Sequence, residues 1–272
     1  FPTNRSKEFL DNFSVNKSVH YINNQFNPYE RQSVQYPTYF SFCNQIIKSI
    51  DNGKKVVVLW CSKKRGLKFV DSKDFTTSMT GKKHLFYHGD RDKKYNESIK
   101  DVHSTWSKID VLMYTTKITV GVNFDMQYFD EIFIYGTPDS AVCRDLFQGS
   151  LRVRTLKDNL LHYFIEDTFT YAKNQTHVCD LDEIENQLNT NKYKAESYIK
   201  DNKINNVDFQ NMKPWLKQTI VRNLFEENIN KAHYEQVFQK YLQLCGYEKK
   251  HQTLIVIHLN QATSPISVNM RI

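Results

Sequence analysis

The 272-residue chain is 40% hydrophobic and 25% charged, enough apolar material for one sizeable core or a core with a satellite domain, which excludes a disordered tail. Thirty-seven Lys and Arg against 30 Asp and Glu leave a net charge of +7. That surplus favours a polyanionic partner, although solubility alone also accounts for it. No apolar run approaches the roughly 20 residues of a bilayer span, and residues 1–7 lack the apolar stretch of a signal peptide. A soluble intracellular protein with no membrane partner is expected. The five cysteines are odd in number and far apart, with no Cys-x-x-Cys pair, so they read as reduced, mostly core residues and no metal site is expected.

Residues 1–35 are rich in Asn, Ser and Tyr without a sustained period and read as a lead-in, with one short extended piece at 18–22; a chain that begins in mid-pattern suggests a fragment. Apolar residues then recur at helical spacing over 39–50, and Asp51-Asn52-Gly53 stops the helix. Residues 56–60 form a continuous apolar run of strand length, followed by a cationic turn at 62–66 and a helix over 67–78. The unit repeats as a strand at 85–88, a helix at 95–106 and a strand at 110–114. A loop at 115–128 leads to a strand at 131–135, a helix at 140–151 and a strand at 161–165. Short apolar runs alternating with amphipathic helices predict parallel strands joined by crossovers and covered on both faces.

Beyond about residue 176 the pattern changes to polar amphipathic helices at 181–188, 192–199, 214–228 and 234–244, with a β-rich stretch at 253–259. The expected organisation is a lead-in over 1–35, an α/β domain over 36–175 and a mainly helical extension over 176–272.

Ligands of an open parallel sheet bind outside the carboxyl ends of its strands, which directs attention to four loops. The first, Cys61-Ser62-Lys63-Lys64-Arg65-Gly66, opens a helix with three cations, suited to phosphate but equally to a solvated turn. The second is the tight turn His88-Gly89-Asp90. The third carries hydroxyls at Thr115 and Thr116, a glycine at Gly121 for close backbone approach, and polar Asn123 and Asp125 suited to phosphates and sugars. In the fourth, Arg144, Gln148 and Arg152 are four residues apart on one helical face, with Arg154 just beyond; an ordinary surface stripe has the same spacing.

The chain has no Gly-x-x-x-x-Gly-Lys-Ser/Thr loop, no Gly-x-Ser-x-Gly elbow and no His-Glu-x-x-His helix. Asp130-Glu131 imitates a magnesium-binding pair, but its apolar strand follows the acids instead of preceding them.

Taken in order, the four loops resemble motif IV, the turn after the following strand, motif V and motif VI of the second RecA-like domain of superfamily-2 helicases, over roughly residues 39–170. The phrase Trp106-Ser107-Lys108-Ile109-Asp110, running on to Thr119-Val120-Gly121-Val122-Asn123-Phe124, and the compact ending Arg152-Val153-Arg154 resemble the replication origin-binding helicases of large DNA viruses. That resemblance implies a RecA-like parallel sheet and ATP-driven translocation on single-stranded or forked DNA during viral genome replication, in host cytoplasm or nucleus. The ATP and Mg would be bound mainly by an absent N-terminal RecA-like domain. A primase, to which related viral proteins are joined, is a further expected partner.

The resemblance also assigns roles. Arg152 and Arg154 become arginine fingers, with Gln148 orienting the cleft; Gly121, Asn123 and Asp125 meet the nucleotide; and Ser62, Lys63, Lys64, His88, Gly89, Thr115 and Thr116 meet the DNA backbone. The fragment alone would then be inactive. Two positions depart from the family pattern: Leu151 stands where Gly usually precedes the first arginine, and Asn123 stands where many relatives have Asp. The alternative is a helicase-fold module for nucleic-acid binding or protein docking, without motor activity.

Overall fold

The computed structural model describes residues 31–88, 98–116, 118, 122–166, 177–190 and 212–250. Among these, seven strands form one sheet: β1 (Arg31–Gln35), β2 (Val56–Trp60), β3 (His84–Tyr87), β4 (Val111–Thr115), β5 (Glu131–Gly136), β6 (Leu160–Ile165) and β7 (Tyr247–Lys249). Their order is β3-β4-β2-β5-β6-β1-β7, and every pair is parallel. Strands β2, β4 and β5 are buried along their whole length, as their predominantly apolar sequences require of strands covered on both faces.

Side-chain alternation sorts the helices onto two faces. Helix α1 (Tyr39–Asp51), started by a Thr38–Ser41 capping box, packs Phe42 edge-on against Trp60 and Phe133. Helices α2 (Lys63–Val70) and α3 (Lys73–Ser78) lie on the same side, with Phe69 against Trp60 and Phe75 against Phe69. The opposite face carries α4 (Val102–Trp106), whose Trp106 stacks on Tyr114, and α5 (Cys143–Ser150), whose Gly149 carbonyl accepts from Tyr114 Oη at 3.0 Å. A Cβ on Gly149 would stand 3.0 Å from Leu59 Cδ2, so glycine there lets α5 lie close on β2.

The parallel sheet flanked by helices is the fold that the loop order implies, and the structure corrects several boundaries. Residues 31–35, expected as lead-in, form β1 between β6 and β7; Val34 is its only apolar residue, so no hydrophobic pattern announces it. The helix expected over 67–78 is two helices, because Asp71 ends α2 and the Ser72 hydroxyl caps α3. The helix expected from 140 begins at Cys143.

In the C-terminal extension, α6 (Leu181–Asn189) and the first half of α7 (Pro214–Leu244) enclose a small cluster of Ile184, Leu188, Val221 and Leu224. The two helices expected at 214–228 and 234–244 follow one another directly within α7, meeting at a kink at His233, where φ is −139° and ψ is 40° and the backbone is not helical. Its second half joins the main core through Tyr234, Phe238 and Leu242, and β7 then extends the sheet. The end of the extension is therefore built into the α/β domain. The expected pieces at 18–22, 192–199 and 253–259 lie outside the described residues. Among the described residues no helix is long and apolar enough to cross a membrane.

Candidate functional site

Strands β3, β4 and β2 are neighbours, so the loops leaving their carboxyl ends fall together. Ser62 caps α2, its hydroxyl accepting from the Arg65 N–H at 3.4 Å, which starts the helix directly after β2. Lys64 is exposed, and Ser62 and Lys63 are half-buried. Arg65 instead turns inward: it pairs with Glu166, which also accepts from Tyr135 Oη, and lies 5.0 Å from the Tyr39 ring centroid. A cleft of about 390 Å³ opens between the ends of β2, β5 and β6, with Ser62, Lys64 and Lys68 on one wall and Thr137 and Ser140 on the other.

His88, half-buried at the end of β3, meets Phe86 edge-on at 5.2 Å. Thr115 ends β4 at 5% exposure, and its Oγ1 has no hydrogen-bond partner among the described residues. Thr116, the next residue, is half-buried and offers the more accessible hydroxyl. Gly89 and Gly121 lie outside the described residues.

The third and fourth loops meet on the α5 face. Phe124 and Val153 form a parallel bridge in which the Phe124 N–H donates to the Arg152 carbonyl at 2.8 Å and the Arg154 N–H donates to the Phe124 carbonyl at 2.9 Å. Asn123 and Asp125 flank one side of this bridge, Arg152 and Arg154 the other. Both anchors, Phe124 and Val153, are fully buried, so the four polar side chains are held to a rigid base.

Arg152 is half-buried; its Nε donates to the Gln148 carbonyl and its Nη1 to the Val122 carbonyl, both at 3.2 Å. Arg154 and the Gln148 side chain are exposed. Leu151 has φ −85°, a conformation open to any residue, so leucine in place of glycine costs the backbone nothing. Asn123 Oδ1 is buried without a hydrogen-bond partner among the described residues. The Asp125 carboxylate accepts from His103 Nε2 at 2.7 Å, an interaction that, with the nearby Arg154 charge, holds its carboxyl below the usual range.

Several residues escape a reading of the sequence. His103 stacks on Phe124 and meets Asp125 across 22 positions, a pairing that only the fold creates. Arg144, the first member of the expected helical stripe, reaches Glu226 of α7 at 3.2 Å, so the stripe is shared between a structural pair and the outward Gln148. The α5 N-terminus has no cap of its own; Asn230 of α7 supplies one, its Oδ1 accepting from the Cys143 N–H at 2.7 Å. Buried Arg31 donates to the Arg154 carbonyl.

The Asp130-Glu131 pair sits at the opposite, amino end of the sheet. Asp130 accepts from the Lys55 N–H at 2.6 Å, and Glu131 is buried against Ser49, Lys54 and His162. Both carboxylates are engaged in holding strands together.

The chain is similar to several known proteins. A protein of Acanthamoeba polyphaga mimivirus named for replication origin binding is 29% identical over 163 residues, covering 59% of this chain and 19% of its own. The replication origin-binding protein of bovine herpesvirus 1.1 (strain Cooper) is 39% identical over 67 residues, covering 24% of this chain and 8% of its own. The matched segments thus span less than a fifth of either relative. Among solved structures, S. cerevisiae Dbp5 L327V bound to RNA and ADP BeF3 aligns at a TM-score of 0.45 with 9% identity, over 88% of this chain and 53% of that one. Mycobacterium smegmatis helicase Lhr bound to ssDNA and AMP-PNP aligns at 0.37 with 13% identity, over 50% and 19%. A family model described as origin of replication binding protein matches residues 3–178, well over half of the sequence and both halves of the Phe124–Val153 bridge, and the chain belongs to that family.

Proposed function

We propose that this chain is the second RecA-like half of an ATP-dependent DNA helicase that acts in viral genome replication. The observation that carries the reading is the Phe124–Val153 bridge, which sets Asn123 and Asp125 beside Arg152 and Arg154. A pair of guanidinium groups next to polar groups of ribose-binding type suits a triphosphate held across a cleft. The N-terminal RecA-like domain of the same protein supplies the phosphate loop and the residues that hold Mg. Asn123 Oδ1, which has no hydrogen-bond partner among the described residues, supports this assignment, because a sugar hydroxyl would satisfy an acceptor there.

Hydrolysis of the γ-phosphate provides the driving energy. Arg152 is oriented by its two bonds to the Gln148 and Val122 carbonyls, which fix the guanidinium plane and leave Nη2 to meet a phosphate oxygen. Arg154, exposed on the same base, completes the pair when the domains close. A guanidinium brought to the developing phosphoryl charge contributes about 10³ to 10⁵ in rate, and its planar fork is not reproduced by lysine.

Single-stranded or forked DNA runs over the other loop group, where Lys64 and Thr116 offer backbone contacts that carry little sequence information. Opening and closing of the two domains shifts this grip along the strand. A primase belongs to the same assembly.

In the full-length protein, Arg152→Lys and Arg154→Lys retain nucleotide-analogue binding and lose DNA-stimulated turnover by at least a hundredfold. The measurement is analogue binding by titration alongside steady-state ATPase. Normal turnover in both variants removes the arginine-finger reading, whereas absence of DNA-stimulated turnover from the unsubstituted full-length protein favours a module that binds nucleic acid without motor activity.

A further inference from the structure

We infer that Arg31, through Tyr247, is a positioning residue that sets Arg154 for phosphate contact, an inference that rests on the arginine-finger reading above. Arg31 is only 3% exposed, so it cannot itself meet a ligand. Its Nη2 donates to the main-chain carbonyl of Arg154, and its Nη1 donates to Tyr247 Oη at 2.7 Å, with the guanidinium carbon 5.7 Å from the Tyr247 ring centroid. The peptide of Arg154 is therefore gripped from two directions. Its N–H is fixed by the Phe124 carbonyl at 2.9 Å and its carbonyl by Arg31. Together these bonds fix the path of the main chain where it leaves the fully buried Val153 and define where the exposed side chain starts.

The residues responsible are far apart in sequence. Arg31 stands 123 positions from Arg154 and 216 from Tyr247. They meet because β1 lies between β6 and β7 in the sheet. Tyr247 lies beyond residue 178, where the family match ends, so a segment outside the matched region reaches the finger loop through one buried guanidinium. The bidentate use of Arg31 also explains the residue type: one planar fork serves a phenol oxygen and a carbonyl simultaneously, which a single ammonium on a flexible stem does not.

The test uses the full-length protein with Arg31→Gln, Tyr247→Phe, the double variant and Arg154→Lys, measuring kcat and KM for DNA-stimulated ATP hydrolysis, analogue binding and cooperative unfolding. Arg31→Gln should lower kcat about tenfold or more, the scale expected when a buried charge-assisted hydrogen bond fails, with KM for ATP and analogue affinity within twofold. Tyr247→Phe keeps the ring and removes only the acceptor, so kcat should fall about threefold, and that effect should vanish in the Arg31→Gln background. An unchanged kcat in Arg31→Gln while Arg154→Lys loses turnover overturns the inference and leaves the finger reading intact. Equal damage to kcat, KM and analogue affinity also overturns it, since that is the signature of a general structural loss. Full turnover in Arg154→Lys overturns the finger reading itself. Should Arg31→Gln fail to fold, Tyr247→Phe decides alone, and a wild-type kcat there refutes the positioning role.

Discussion

Glu131→Gln tests whether the amino end of the sheet is held together by charge. Glu131 opens β5, with its side chain 3% exposed; Ser49 Oγ donates to Oε2 at 2.8 Å, Lys54 Nζ binds Oε1, and His162 Nε2 stands 3.5 Å from Oε2. Burial by itself pushes the carboxyl up, but the His162, Lys54 and Ser49 contacts outweigh it and hold the group at about 2, against an ordinary 4.5. At about 1.4 kcal/mol per pH unit that difference amounts to roughly 3 kcal/mol, and screening at Lys54, about a third of which meets solvent, reduces it to about 2 kcal/mol. The folded-state value is depressed, so the contribution is fully present above pH 4.5 and is lost as pH falls from 4.5 toward 2. Glu131→Gln should therefore lower stability by about 2 kcal/mol at pH 7, and the gap between the two proteins should narrow steadily below pH 4.5. Urea unfolding midpoints of the 272-residue chain at several pH values between 7 and 3 measure this. Parallel curves for the two proteins would refute the reasoning, because they would mean that the ionised carboxylate stabilises nothing.

Three further outcomes follow from the packing and the surface. Gly66→Ala should destabilise the chain by about 1 to 3 kcal/mol despite the better helix propensity of alanine, because the new Cβ would lie 2.5 Å from Phe86 Cζ and 3.0 Å from Trp60 Cγ; the thermal midpoint reports it. Asn230→Ala should cost about 1 to 2 kcal/mol by orphaning the buried Cys143 N–H at the start of α5, and Asn230→Asp, which keeps the acceptor, should recover most of it in the same urea assay. Lys64→Ala in the full-length protein should flatten the plot of log DNA affinity against log salt by about 0.7 for single strands, and an unchanged slope removes Lys64 from the backbone-contact group.

The central strands were legible because their sequences satisfy a single demand, burial on both faces: Val56–Trp60 and Val111–Thr115 are apolar or weakly polar throughout, whatever their neighbours. Strand β1 was not legible, because Arg31 and Ser33 are buried for reasons that lie elsewhere in the chain. Arg31 finds Tyr247, and Ser33 Oγ donates to the Glu248 carbonyl at 3.4 Å. Polar residues in those positions look like linker until the partners are known. The break between α2 and α3 did carry a local signal, since Ser72 is a good cap, but the helical spacing of the surrounding apolar residues continues through it. In the candidate site the order of loops was legible and their contact was not. The Phe124–Val153 bridge joins segments 29 positions apart through main-chain bonds, which leave no trace in residue type.

The same limit applies to the basic residues, and the structure sorts them by use. Arg65 is neutralised by Glu166 and Arg144 by Glu226, while Arg31 is spent on a phenol and a carbonyl inside the fold. Each of these arginines braces one element against another: α2 against the end of β6, α5 against α7, and β1 against the Arg154 loop. Arginine suits such work, because its fork spans two acceptors and tolerates partial burial better than an ammonium does. Lys64 and Arg154 remain exposed at the two loop groups. A net charge of +7 therefore overstates some regions of the surface and understates others. If the proposed function holds, neutralising a bracing arginine should alter stability or kcat with little effect on the salt dependence of DNA binding, whereas neutralising Lys64 should do the reverse.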